Sequence, residues 1–228
     1  MITAQDLAGR LLAVGTPTLS DALDQAGLPA GAVTALRRLA GGDRPVAGRA
    51  VTVELGRLAA APTSPGSHLG TAAVVHAEPG DVVVVAHGGR MDCAGWGGIL
   101  STAAHHRGLA GVVVDGAARD VDEAAALGLP LYARTGTPVT ARGRAVEVGW
   151  GGPVTVDGVA VAPRDWVVAD ASGIVVVPAA AVADVLERAE RIAAVEARLV
   201  EEVRRGRPVD EVMDSRYELM LAASRERA

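Results

Sequence analysis

Three runs of β-branched and aliphatic residues, Asp81–Ala86, Gly111–Asp115 and Leu131–Ala133, alternate with two short helical stretches, Ile99–Arg107 and Asp120–Ala126. Glycines punctuate them: Gly108 and Gly128 stop the helices, and Gly116 ends the second run. Strands this apolar have to be covered on both faces, and strands joined through helices run parallel. The pattern predicts an α/β protein built on a parallel sheet. Its ligand is expected at the carboxyl ends of the strands.

The flanks have a different texture. Gln5–Val14 carries Leu7, Leu11 and Leu12 at helical spacing. A second helix opens at Thr18, with Thr18 as N-cap, Asp21 three residues on and Gly27 as its stop. Arg49–Leu55 alternates as a half-buried strand. Residues 62–70 read as a Pro/Gly/Ser loop, 71–77 as a turn of helix, and 88–89 and 95–98 as a glycine-rich stretch. Short strands follow between Ala145 and Pro178, with Asp157-Gly158 as a hairpin turn. Ala179–Arg205 predicts one long amphipathic helix, and Val209–Leu221 a short helical pattern in an Arg/Glu-rich tail. No repeat or linker interrupts the chain. Residues 1–228 are expected as one domain that ends in the helix and tail of 179–228.

Absences restrict the chemistry. All 22 basic residues are arginine, which removes lysine Schiff bases, covalent pyridoxal phosphate and the P-loop. Without asparagine there is no glycosylation acceptor. Cys93 stands alone, so no internal disulfide or multi-cysteine metal site forms. A net charge of −5 and only three Trp, two Tyr and no Phe argue against a nucleic-acid stacking surface. The longest apolar runs, such as Val82–Ala86, fall well short of the ~18 residues that span a bilayer. The N-terminus lacks the basic and apolar regions of a signal peptide. The expectation is a cytoplasmic protein with neither membrane nor nucleic acid as partner.

The densest candidate site is Asp115-Gly-Ala-Ala-Arg119-Asp120, where a strand leaves the sheet's carboxyl edge. Asp120 and Glu123 also have the spacing of a capping box. Arg119 has no such structural reading, because a cation beside a helix N-terminus opposes the dipole. An anion is expected to compensate it. A second candidate is Gly95-Trp96-Gly97-Gly98-Ile99-Leu100, a turn into a helix whose first amides attract an anion. Alone, it reads as a tight strand-to-helix turn. The histidines His68, His76, His87, His105 and His106 show no metal-ligand spacing and are assigned to the surface or to helix packing. None of the serines lies in a nucleophile elbow, and Cys93 has no basic sequence neighbour to activate it.

The order Gly97-Gly98-Ile99-Leu100, eighteen residues from Ser101 to Ala118, then Arg119-Asp120, resembles the class II 4-hydroxy-4-methyl-2-oxoglutarate aldolases. That family also contains the regulator of ribonuclease activity A. Leu19–Asp24, Gly48–Val53, Pro79–Val85 and Ala169–Pro178 extend the resemblance across residues 18–206. It implies a compact α/β sandwich with a swivelling β/β/α-type core, N-terminal helices and a long C-terminal helix, assembled as a homotrimer or homohexamer. It implies that backbone amides of Gly97, Gly98, Ile99 and Leu100 hold the carboxylate of a 2-oxo acid. Arg119 would bind the substrate and its enolate oxygen. Asp120 would anchor a divalent cation, Mg²⁺ or Mn²⁺, largely through waters. An acidic residue from a neighbouring subunit would assist, and Glu196 is the best match. The implied activity is metal-dependent cleavage of a C–C bond in a 2-oxo dicarboxylate through a pyruvate enolate, with oxaloacetate decarboxylation through the same enolate. Lysine is absent, so a metal has to serve as the electron sink. A metal-activated water is the first choice of base. The alternatives are a non-catalytic, protein-binding regulator and a family member recruited to another aldol substrate.

Overall fold

The chain opens with α1 (Ala4–Gln25) and two short strands, β1 (Ala32–Val33) and β2 (Arg37–Ala40). Then β3 (Val46–Arg57), α2 (Thr71–His76), β4 (Val82–Trp96), α3 (Gly98–His106), β5 (Gly111–Ala118), α4 (Val121–Ala126) and β6 (Leu131–Gly136) alternate strictly. Five more strands follow: β7 (Ala145–Trp150), β8 (Val154–Val156), β9 (Val159–Val161), β10 (Trp166–Ala169) and β11 (Ile174–Val177). The helices α5 (Val182–Arg204) and α6 (Val209–Val212) close the chain. This is a computed structural model, and it describes residues 3–58 and 68–213. The expected loop at 62–67 and the tail beyond 213 lie outside the described residues.

The main sheet has the order β1-β11-β10-β3-β4-β5-β6-β2, with β7 also pairing to β3. Its centre, β3 to β6, is parallel, as strands joined through helices require. The flanking pairs are antiparallel. Side chains alternate across a strand, so the valines of β4 sort to two faces. Val83 and Val85 pack under α2, α3 and α4 with Val112 and Val114 of β5. Val82 and Val84 face the β8–β9 hairpin, meeting Val154, Val156 and Val161. Hairpin, sheet and helices thus stack as a β/β/α sandwich. A third apolar cluster joins α1 and α5 to β10 and β11 through Leu11, Leu19, Leu23, Val185, Leu186 and Ile192.

Three local readings are corrected. First, the break in the N-terminal helix falls at Gly15 (φ 78, ψ 166), and Thr18 is buried within the second helical segment instead of capping it. Asp170 supplies the cap from the β10–β11 turn. Its carboxylate accepts from the Thr16 N–H at 2.9 Å and the Thr16 hydroxyl at 2.7 Å. Second, β4 runs on through Gly88 and Gly89, and β5 through Gly116, where the sequence ends the strands at Ala86 and Asp115. The ladder between them survives by bulging: Val85 pairs with Val114, Arg90 with Gly116 and Trp96 with Ala118. Left-handed glycines at 88 and 89 absorb the extra residues. Third, His87 lies on β4 in the core, 1% exposed, with Nε2 directed to the Cys93 carbonyl at 3.0 Å.

The Asp170 clamp has a measurable pH signature. Burial raises the Asp170 pKa, but the Thr16, Ser172 and Gly173 contacts outweigh it and leave the net value lowered. A depressed native pKa stabilises the fold above the unfolded value of ~3.9, and the gain disappears as pH falls through the native value. Asp170→Asn is expected to cost about 1–3 kcal/mol in urea unfolding at pH 7. The difference from wild type should shrink below pH 4. A gap that stays constant with pH would contradict the clamp.

Candidate functional site

The carboxyl ends of β4 and β5 bring together the two segments singled out in the sequence. Trp96 pairs with Ala118, and the Arg119 N–H donates to the Trp96 carbonyl at 3.0 Å. That register sets the start of α3 against Arg119 and Asp120. The Asp120 carboxylate Oδ2 accepts from the Gly98 N–H at 2.9 Å and from Arg119 Nε at 3.0 Å.

Asp120 does not form the capping box its spacing offered. Its side chain makes no cap bond to α4, and its backbone is left-handed (φ 56, ψ 41). Asp is among the few side chains that accept this conformation without a large penalty. The twist turns the carboxylate away from its own helix and onto the first turn of α3. The Gly98 amide, helped by Arg119 against the effect of burial, holds the Asp120 pKa below its ordinary value. Asp120 is therefore ionised at neutral pH. Arg119 has the anionic neighbour that the dipole argument asked for.

Gly97, Gly98, Ile99, Leu100, Arg119 and Asp120 line one cavity of about 280 Å³. The glycines are there because the two loops touch. A Cβ on Gly97 would sit 3.1 Å from Asp120 Oδ2, and one on Gly98 would collide with the Glu123 carboxylate. The Gly98 amide is committed to Asp120. The Ile99 and Leu100 N–H groups, in the first turn of α3, have no intrahelical partner, and Gly97 offers no capping side chain. The Ile99 side chain is 85% exposed beside them. Below, Trp96 Nε1 donates to Ser101 Oγ at 2.9 Å and fixes the buried side of the turn.

No group of three or more His, Cys, Asp or Glu able to hold a metal ion occurs among the described residues. What the cavity offers is one ionised carboxylate, with Oδ2 engaged and, among the described residues, no hydrogen bond on Oδ1. A single hard oxygen ligand with room for water fits an octahedral ion such as Mg²⁺ and is a poor site for a soft metal. Glu196 does not line this cavity. It lies on α5, where, after burial itself, its charge helps raise the pKa of Asp21 on α1.

Thr140, Ala141 and Arg142, not singled out in the sequence, also line the cavity, as does His68, which was assigned to the surface or to helix packing. The signal was slight: an Arg-Gly-Arg turn between two strands, with nothing local to say which cavity it borders. A larger cavity, about 480 Å³, opens between β2 and the β10–β11 turn. Three of its polar groups are already committed: Arg38 donates to the Tyr132 hydroxyl at 2.9 Å, and Asp170 is the helix clamp.

The Aldolase/RraA family model matches residues 16–176. A Halalkalibacterium halodurans protein named "Putative 4-hydroxy-4-methyl-2-oxoglutarate aldolase" is 35% identical over 119 residues, which is 52% of this chain and 56% of that protein. The chain spans little more than half the length of the curated relatives it matches first. A crystal structure of an uncharacterized protein from Pseudomonas syringae superposes with a TM-score of 0.81 at 29% identity, covering 94% of this chain and 100% of that one. Streptomyces coelicolor RraAS2, described as an unusual member of the RNase ES inhibitor RraA family, superposes at 0.75 with 26% identity, covering 91% and 99%.

Proposed function

The chain belongs to the Aldolase/RraA family, and we propose that it is a divalent-metal-dependent lyase that cleaves a C–C bond of a 2-oxo dicarboxylate. The observation that carries the reading is the left-handed Asp120. It gathers a carboxylate, a guanidinium and the start of a helix at the mouth of one cavity. Asp157 and Arg164 are left-handed too, so the conformation gains its meaning from what it assembles at the cavity.

The residues divide the work. The Ile99 and Leu100 amides face the substrate's carboxylate with the positive end of the α3 dipole behind them. Arg119 is oriented through Nε by Asp120, which leaves its terminal amino groups for the 2-oxo oxygen and the charge that develops there. Asp120 would hold the Mg²⁺ or Mn²⁺ through its uncommitted oxygen. When bound, such an ion polarises the 2-oxo group and acts as the electron sink that a lysine would otherwise provide. Asp120 and Arg119 also fix each other, so neither reorganises as charge builds. Oxaloacetate decarboxylation develops the same charge at the same place.

The proposal takes residues 1–228 as one domain and includes assembly as a homotrimer or homohexamer, which would bring Glu196 of a second copy toward the cavity. Val146, Val148 and Trp150, exposed along one face of β7, support such assembly. The likeness to RraAS2 favours a second reading, a protein-binding regulator of a ribonuclease without catalysis.

Pyruvate release coupled to lactate dehydrogenase separates the two. Turnover of 4-hydroxy-4-methyl-2-oxoglutarate or oxaloacetate is expected with Mg²⁺ or Mn²⁺, to stop in excess chelator and to return on adding metal. Borohydride with pyruvate should leave the protein unmodified. Full turnover in chelator, with metal content shown to be negligible, refutes the metal mechanism. No pyruvate from any 2-oxo acid, together with ribonuclease inhibition, decides for the regulator.

A further inference from the structure

We propose that Arg142 is the specificity-determining residue of this cavity and binds a second carboxylate at the far end of the ligand. The cavity would then select 2-oxo dicarboxylates over 2-oxo monocarboxylates. The inference rests on reading the cavity as a 2-oxo-acid site.

Two guanidinium groups border the cavity, and they differ in what they already hold. Arg119 is tied to Asp120, so that pair is neutral. Arg142, between β6 and β7, is exposed, lines the same cavity and makes no hydrogen bond or ion pair through its guanidinium among the described residues. Arg90 is neutralised by Asp92, Arg134 by Asp115 and Asp157, and Arg144, which does not line the cavity, is spent on backbone carbonyls. Glu123, the other carboxylate beside Gly98, does not line the cavity.

The segment carrying Arg142 is nevertheless pinned. The Ala94 N–H donates to the Val139 carbonyl at 2.9 Å, and the Arg142 N–H to Thr140 Oγ1 at 3.2 Å. Arg144 turns back to donate to the Thr140 and Arg142 carbonyls, each at 3.4 Å. Arg90 in turn donates to the Arg144 carbonyl at 3.0 Å. The tethered backbone fixes where the Arg142 side chain starts, so an anion has only that side chain left to order, and the guanidinium gives up no existing partner to bind it. The first carboxylate and the 2-oxo group are accounted for by α3 and Arg119. Arg142 has no work left on a monocarboxylate. A planar fork suits a carboxylate.

The test compares two five-carbon ligands that differ only at the far end, 2-oxoglutarate and 2-oxopentanoate, titrated calorimetrically with Mg²⁺ present. Wild type is expected to bind 2-oxoglutarate about 10- to 100-fold more tightly. Arg142→Ala should remove most of that preference by weakening 2-oxoglutarate alone, and Arg142→Lys should keep part of it. A wild type with no preference, a preference that survives Arg142→Ala, or an equal loss for both ligands overturns the proposal. Pyruvate release is scored separately. An Arg142-dependent preference in a protein that releases no pyruvate sinks the lyase reading and leaves this one standing. Pyruvate release with no preference does the reverse.

Discussion

Asp120→Asn is expected to abolish metal-dependent turnover while costing the fold less than Asp120→Ala, since only the charge and the Arg119 pair are lost. Asparagine accepts the left-handed backbone of Asp120 and still offers an oxygen to the Gly98 N–H. It loses the charge that would hold a divalent cation. The expected drop in kcat/KM is at least about 10³-fold, the order of several kcal/mol of charge stabilisation. Metal affinity, read by calorimetry, should fall with it. Asp120→Ala should add a structural cost of about 1–3 kcal/mol, from the lost Gly98 bond and the strain of φ 56 on alanine. The two variants separate chemistry from architecture. An Asp120→Asn protein with full activity and unchanged metal affinity would reduce Asp120 to a cap for α3.

Arg119→Ala is expected to cost about 3–4 kcal/mol in kcat/KM, as for other pre-organised charge stabilisers. Metal affinity should stay intact or tighten, since a cation 3.0 Å from the same carboxylate has been removed. Arg119→Lys should rescue poorly. An ammonium cannot bond Asp120 through one nitrogen and present a planar pair of donors through the others. Equal losses of activity and metal affinity in Arg119→Ala would show that it acts only through Asp120.

Much of this architecture is legible from residue order. The valine runs at 82–86 and 112–114 demand cover on both faces, and the glycine-stopped helices between them are the crossover connections that make the strands parallel. Arg119-Asp120 and Gly97–Leu100 stand out through local chemistry: a cation where a dipole rejects one, and glycines ahead of a helix. Absence of lysine narrows the electron sink. These are short-range statements, and short-range physics suffices for them.

Tertiary structure decided the rest. Spacing alone made Asp120 a cap for α4, since a capping box is a local pattern. The Gly98 amide that captured its carboxylate lies 22 residues earlier and arrives only through the β4–β5 register. Thr18 lost its capping role the same way, to Asp170, 154 residues distant from Thr16. Gly88, Gly89 and Gly116 read as chain breaks, yet the sheet carried through them, because a bulged ladder satisfies more buried backbone than a loop would. His87 looked like a surface histidine until the strand beside it closed over the ring. Arg142 gave only the slight signal of an Arg-Gly-Arg turn, with nothing to say that its guanidinium stays unpaired. Whether a cation is paired or left over depends on which carboxylates come near it in three dimensions, and the order of residues along a chain does not contain that sum.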